Sequence, residues 1–426
     1  AFDEHGGVEF YERTVAPDEW IAELLRRKLT NERSTFTLAD LTREIAGTID
    51  AGASVDTIER LARRAIASPH VVEVHAQDQP QQWTSRELLE VEQRFIASLA
   101  MRASETIPPS IVESILASRT DLGGDQRAAV QALASSDAAV GVLVGPAGTG
   151  KTHTIDAIRA VYEAAGVTMR GAAPSARAAI ELAASTGMTT GTLHSLLAGY
   201  ERGTDVPGPS TILVIDEAGM ADIRTLTQAV STHLQLGGKV LLAGDHHQLP
   251  EIGAGGGFAY AARHAQTVAE LTVNRRQRSA WEQDALRQLR NGAVAEAVRT
   301  YVEHDRLAVA ESPGELVSQA IALWTTARDA GLRPILLAGT NELVDRLNEA
   351  AIEHLLTSGE LVETDPIAYG ATPVRVGERV VLRRNSDQEL AADGVPTAIA
   401  NGQPGTVVAT AHGIVTVALD DGPVVQ

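Results

Sequence analysis

The chain has 426 residues and no cysteine, and its 36 basic side chains are outnumbered by 55 acidic ones, for a net charge of −19. The length corresponds to about three domains at roughly 150 residues each, and the missing thiols exclude disulfides, thiolate metal sites and cysteine nucleophiles. The charge excludes a wholly basic coat for nucleic acid but leaves room for a local Lys/Arg-lined channel. No apolar run approaches the roughly 20 residues of a membrane span. The opening AFDEHGG has no signal-peptide pattern, so a cytoplasmic location is expected. It also has no initiator Met, as expected of a piece cut from a longer protein. Aromatic residues are 4% of the chain, which limits any base-stacking platform to a few side chains.

Residues 17–120 read as mostly helical. Amphipathic stretches run over 21–28, 38–48, 55–67 and 85–103, with Thr84-Ser85-Arg86-Glu87 resembling a capping box at the head of the last. Two short strands, 71–75 and 81–84, flank a turn-like segment, so a winged-helix-like module is expected over 1–118. Pro108-Pro109 marks a break. From 119 to 280, apolar strand runs at 140–144, 168–172, 212–215 and 240–243 alternate with helical segments, the pattern of a parallel α/β sheet. A further apolar run, 334–338, is expected to open a second α/β unit over 281–367. Short strands at 374–383 and 405–417, with turns at Asn401-Gly402 and Asp420-Asp421-Gly422, predict a small β module over 368–426.

The strongest chemical signal is Gly145-Pro146-Ala147-Gly148-Thr149-Gly150-Lys151-Thr152, followed by His153. An apolar strand precedes it and a helical segment follows, the context a phosphate-binding loop requires. Its glycines let backbone amides turn inward around phosphates at a helix N-terminus. Lys151 would reach the terminal phosphates and Thr152 would ligate Mg²⁺. The run Ile212-Leu213-Val214-Ile215 ends in Asp216-Glu217, where Asp216 would hold the Mg²⁺ shell and Glu217 would orient or deprotonate water. Leu241-Leu242-Ala243 runs into Gly244-Asp245-His246-His247-Gln248, where Gln248 would sense the γ-phosphate or the water. The neighbouring histidines face opposite ways if the backbone is extended, which argues against a shared metal. In Asn274-Arg275-Arg276-Gln277, an arginine could neutralise charge developing on the γ-phosphoryl.

These motifs in order, with Gln126 ahead of them, resemble the RecD-like branch of superfamily-one helicases, and more closely the helicase part of MobF-type conjugative relaxases. The resemblance covers about 28–420 and is densest over 120–280. It implies ATP and Mg²⁺ as cofactors, an adenine contact for Gln126, and a γ-phosphate contact for Arg276. It also implies DNA contacts for Ser175, Arg177, Thr192 and His194, and marks Thr340 and Asn341 as the opening of a second RecA-like unit. Translocation on single-stranded DNA, with 5′→3′ polarity, follows from the resemblance, as do other conjugation proteins as partners. Read from residue type alone, the polar DNA candidates are more often helix caps or surface residues, and residues 197–210 more often an ordinary loop than a strand-separating pin. The family's later motifs, with a second phosphate-directed arginine, have no counterpart before Gln426, and no nicking-domain His cluster precedes the helical region. An interior fragment with impaired turnover is therefore expected. The competing expectation is an ATP-gated DNA-binding or scaffolding module that does not unwind; retention of Glu217, Gln248 and Arg276 favours the motor.

Overall fold

In the computed structural model, the described residues are 17–49, 52–75, 80–103, 106–204, 206–208, 210–248, 253–361, 367–369, 372–384, 386–390, 396–399, 401–411, 414–420 and 422–425. They divide into two compact units, one ending at Arg278 and one beginning at Ser279.

The first unit begins with α1 (Pro17–Leu24), which runs on as a π-helical turn, Leu25–Leu29. α2 (Leu38–Thr48) and α3 (Val55–Ile66) follow. A reciprocal capping box between Thr37 and Asp40 starts α2, and the Ser54 hydroxyl caps α3. β1 (Val71–Val74) and β2 (Gln82–Ser85) form an antiparallel hairpin, and Phe36 bridges to Trp83 beside it. Ile21, Leu25, Phe36, Leu41 and Ile45 close a small core under this hairpin. The arrangement is the expected set of helices around a hairpin. α4 (Arg86–Leu99) starts one residue later than the sequence pattern indicated. Ser85 is its cap, accepting from Leu88 N–H at 3.1 Å, while Glu87 pairs with Arg224 instead of closing a box with Thr84.

After α5 (Pro109–Ser118) and α6 (Gly124–Ala134) comes a six-stranded parallel sheet, with strands β3 (Val140–Val144), β4 (Thr168–Ala173), β5 (Thr190–Thr192), β6 (Thr211–Ile215), β7 (Lys239–Gly244) and β8 (Thr267–Glu270). Their spatial order is β5-β4-β6-β7-β3-β8. The connecting helices are α7 (Lys151–Ala164), α8 (Ala176–Thr186), α9 (Leu193–Arg202), α10 (Ile223–Gln235) and α11 (Gly257–His264). Side chains alternate across the sheet, as the two-residue strand period requires. Val140, Val142, Leu213, Ile215 and Leu242 face one layer, and Leu143, Ile212, Val214 and Leu241 face the other. Both faces are covered, which explains why these strands read as continuous apolar runs. α4 packs Leu88, Val91 and Phe95 against the first face, and α5 adds Val112 to the second, so helices from before residue 119 complete the layers around the sheet. This is a P-loop, RecA-like α/β fold.

The second unit contains α12 (Ala280–Arg290), α13 (Val294–Glu303), α14 (Pro313–Asp329) and α15 (Asn341–Thr357). The strand expected at 334–338 does not form. That stretch has no regular structure, and Ile335 and Leu337 are 82% and 89% exposed. No strand among the described residues pairs with it, and an apolar run without partners has nothing to bury itself against. The rest of the unit is a set of short strands, β9 (Ile367–Tyr369), β10 (Thr372–Val374), β11 (Arg379–Val381), β12 (Ser386–Leu390), β13 (Pro396–Ile399), β14 (Pro404–Ala411), β15 (Ile414–Leu419) and β16 (Val424–Val425). Its largest part is a four-stranded antiparallel sheet, β11-β14-β15-β16, with a turn at Asn401-Gly402 before β14. No helix among the described residues is long and apolar enough to cross a membrane.

Candidate nucleotide site

All six strands of the large sheet run the same way, so their C-terminal ends open on one edge. In open α/β sheets that edge is where ligands bind. Gly145 follows β3, Ser175 lies just beyond β4, Thr192 ends β5, Asp216 follows β6, and Asp245 follows β7.

Residues 145–150 wrap the N-terminus of α7. Gly148 and Gly150 have φ of 84° and 86°, a region glycine enters without the Cβ penalty. Space is as restrictive as angle: a Cβ on Gly148 would lie 2.6 Å from Arg276 Cβ, and one on Gly150 would lie 2.5 Å from Gln126 Nε2. Thr149 is fully buried and its hydroxyl donates to Pro146 O at 2.8 Å, closing the loop on itself. Gln126 is 1% exposed. Its Oε1 accepts from Gly123 N–H at 2.9 Å, and its Nε2 donates to Thr149 O and Gly150 O at 3.4 and 3.3 Å. Its amide is thus engaged in holding the loop rather than turned outward.

Lys151 lies in the first turn of α7 with its side chain folded back over the loop. Nζ donates to Gly145 O at 3.1 Å and is 3.7 Å from Glu217 Oε1. Only 8% of that side chain is exposed. Thr152 follows in the same turn. His153 points elsewhere, with Nε2 2.7 Å from Asp121. Asp216 N–H continues the β6–β4 ladder to Ala172 O, and its Oδ1 accepts from Glu217 N–H, each at 2.9 Å. Burial pushes the Asp216 carboxyl up to about 6, and the Glu217 charge beside it adds to the rise. Glu217 has φ 50° and ψ 38°, a left-handed conformation rare for a side chain of its size. This turn follows Asp216 directly and leaves the Glu217 carboxylate next to Lys151.

Gln248 is half-buried in the turn after Asp245, with its N–H donating to Asp245 O at 3.3 Å. His246 and His247 lie in that same turn rather than on extended chain, and their ring centroids are 4.3 Å apart. Their rings therefore meet, contrary to the opposed orientation expected of an extended backbone.

The segment after β8 lies along the loop. Arg275 N–H donates to Gly148 O at 2.8 Å, and Asn274 Oδ1 accepts from the N–H of Arg276 and Gln277 at 2.9 and 3.1 Å. Arg275 was not singled out by its sequence, nor was Asp125, yet together they tie three elements. The Arg275 guanidinium is paired with Asp125 in the first turn of α6 and also donates to Thr149 O at 2.8 Å. The same carboxylate accepts from Thr272 and Val273 N–H, both at 3.1 Å. Burial works against ionisation of Asp125, but the bonds from Arg275 and the Val273 amide outweigh it and hold the carboxyl at about 2. The tandem Arg275-Arg276 and the lone acid at the head of α6 were the available signals for this pair.

Of the expected DNA-contacting side chains, three are helix caps. Ser175 Oγ accepts from Ala178 N–H at 3.2 Å, Thr192 Oγ1 from Ser195 N–H at 3.1 Å, and Thr340 Oγ1 from Leu343 N–H at 3.3 Å. Arg177 pairs with Glu181 at 2.9 Å, and His194 is exposed in the first turn of α9. Thr340 and Asn341 begin α15 in the second unit. Residues 197–202 continue α9, so the first part of the suggested pin is helix.

Residues 121–312 match the AAA domain family. The chain is 29% identical over 348 residues to the probable conjugal transfer protein TraA of Sinorhizobium fredii, an overlap of 79% of this chain and 31% of that protein. Conjugal transfer protein TraA of Agrobacterium fabrum is 28% identical over 422 residues, covering 93% of this chain and 38% of the relative. The ATP-dependent RecD2 DNA helicase of Deinococcus radiodurans is 33% identical over 138 residues, 32% of this chain and 19% of that protein. The chain thus spans well under half the length of the relatives it matches. The match to the AAA domain family takes in the RecA-like sheet of the first unit, and the relatives bear out the resemblance to RecD-like helicases related to conjugative relaxases.

Proposed function

We propose that this chain is the ATP-driven motor segment of a DNA translocase or helicase acting on single-stranded DNA, within a conjugative relaxase-helicase in the cytoplasm. The observation that carries the reading is the convergence of the glycine-built loop, Lys151, Asp216 and Glu217 on one sheet edge, with the Arg276 backbone against the loop. In this reading residues 1–118 are an accessory helical module, 119–280 the first motor unit, 281–367 the start of a second, and 368–426 its β insertion.

The donor set fits a nucleotide and a divalent cation. Gly148 and Gly150 let the loop turn at positive φ against Arg276 and Gln126, so residues 145–150 and the N-terminus of α7 would cradle the phosphates. Lys151 would exchange Glu217 for a terminal phosphate oxygen. The Thr152 hydroxyl and Asp216 carboxylate would hold Mg²⁺, whose charge neutralises phosphate oxygens and offsets the crowding of Asp216 by Glu217. Glu217, once released from Lys151, would take the proton of the attacking water, with Gln248 orienting that water. Arg276 would meet charge developing on the γ-phosphoryl. Gln126 would report adenine occupancy to the loop that its amide already holds. Ser175, Arg177, Thr192 and His194 on this edge, and Thr340 and Asn341 in the second unit, would contact the DNA backbone, the capping hydroxyls by donating their O–H to phosphate oxygens. The 5′→3′ polarity rests on the resemblance alone.

Glu217→Gln tests the reading. The variant should keep Mg·ATP affinity and lose hydrolysis by a factor on the order of 10²–10⁴, since an amide takes no proton. DNA-stimulated hydrolysis equal to the wild type would remove Glu217 from the mechanism.

A further inference from the structure

A groove of about 830 Å³ lies between the π turn after α1, α4 and α10. None of the residues assigned above to nucleotide or DNA lines it. Among the described residues five cations do, Arg26, Arg27, Lys28, Arg94 and Arg224, against a single lining carboxylate, Glu87. In a chain of net charge −19 this is a local reversal of sign.

The groove is built to present those cations. An i→i+5 turn is rare and clusters at functional sites, and here it carries Arg26, Arg27 and Lys28, all exposed, between the buried anchors Leu25 and Leu29. Arg224 fixes the turn: its guanidinium donates to Thr30 O at 2.6 Å and Thr30 Oγ1 at 3.1 Å, and pairs with Glu87 at 2.7 Å. Burial raises the carboxyl of half-buried Glu92, and the Arg224 charge opposes that rise. Glu23 pairs with both Arg26 and Arg27. Lys28 and Arg94 have no acidic partner among the described residues.

The remaining wall is the polar face of α10, including Gln228, Ser231, Thr232 and Gln235. Thr227, on the same face, is 2% exposed, and its buried hydroxyl has no hydrogen-bond partner. A buried hydroxyl without a partner is costly, so a ligand oxygen there would relieve a standing penalty. Cations spaced over three elements, with hydroxyl and amide groups between them, match the contacts a nucleic-acid backbone receives. No aromatic side chain among the described residues lines the groove, so these residues offer nothing for base stacking.

We propose that this groove is a second DNA contact, taking the phosphate backbone of a strand without reading its sequence. The proposal goes beyond the motor reading and does not depend on the strand-end residues. The groove is continuous with the motor through α10, which begins just after the 3-10 turn that follows Glu217.

The test is fluorescence anisotropy of a labelled mixed-sequence single-stranded oligonucleotide with the full chain, across a salt series. The variants are Lys28→Gln/Arg94→Gln and, separately, Thr227→Val. Lys28 and Arg94 are exposed, so the fold should tolerate their loss. The double variant should bind about tenfold more weakly, with a log–log salt slope shallower by about 1.4, the value for two lost contacts to a single strand. Thr227→Val should weaken binding about threefold, and Mg·ATP affinity should stay at the wild-type value. Replacing chloride by inorganic phosphate at matched ionic strength should leave the difference between wild type and double variant in place. Unchanged affinity and slope in both variants would overturn the proposal. So would loss of that difference in phosphate, which would mark a site for a free anion. Weakened binding in Arg177→Gln/His194→Ala with none in the groove variants would sink the groove and leave the motor reading standing.

Discussion

Residues 140–144 and 334–338 are both short apolar runs in sequence, and they have opposite fates. The first is a strand with parallel neighbours on both sides, and Val140, Val142 and Leu143 are fully buried. The second is irregular, with Ile335 and Leu337 mostly exposed. Burying a leucine or valine is worth roughly 1.5–3 kcal/mol, but only where other side chains close over it. β3 has helices on both faces of its sheet; within the second unit, 334–338 has no described strand to pair with. An apolar run therefore states a capacity to be a strand, and its partners decide whether it becomes one.

The comparison yields a graded set of expectations. The largest concerns Leu143→Ala, which empties part of a packed layer and should lower unfolding free energy by about 3 kcal/mol in denaturant titration; a loss below about 1 kcal/mol would mean that β3 is not the centre of the core. Arg275→Ala comes next. It removes a partly buried ion pair and the donor to Thr149 O, and should cost about 2 kcal/mol, less than a fully buried pair because the Arg275 side chain is 31% exposed. It should also weaken Mg·ATP binding severalfold, because the loop loses its tie to α6; unchanged binding would make the pair merely structural. The acid side gives a smaller, pH-dependent effect. Asp125 is held at about 2, below its usual value, so its contribution is complete above an unfolded value of about 4 and is lost as pH falls through 2. The stability gap between wild type and Asp125→Asn should be flat above about pH 5 and close below it; a gap that opened with acid would reverse the assignment. The smallest effect is for Leu337→Ala, expected within about 0.5 kcal/mol of wild type. A loss of core size there would show that 334–338 is a buried strand after all.

Much of the first unit was legible because both faces of its sheet are covered, which turns each strand into an uninterrupted apolar run, and because a phosphate-binding loop needs glycine at fixed places. Asp216 and Glu217 could be placed from the end of such a run. What could not be read was anything that depends on distant groups meeting. Asp125 and Arg275 are far apart in sequence, and neither residue type is unusual. Gln126 could be named, but not that its amide closes on Thr149 O and Gly150 O. The rings of His246 and His247 meet through a turn that the sequence does not display. Ser175 and Thr192 carry hydroxyls that serve equally as caps or as phosphate donors, and residue type does not separate the two uses.

The most direct test of the central claim, that one sheet edge holds a nucleotide through Lys151, is calorimetric titration of the chain with Mg·ATP beside Lys151→Ala. The wild type should bind one nucleotide per chain, and the variant should bind it weaker by a factor on the order of 10–10², the scale of losing one hydrogen bond to a charged group. Equal affinity and stoichiometry in the two proteins would contradict the account.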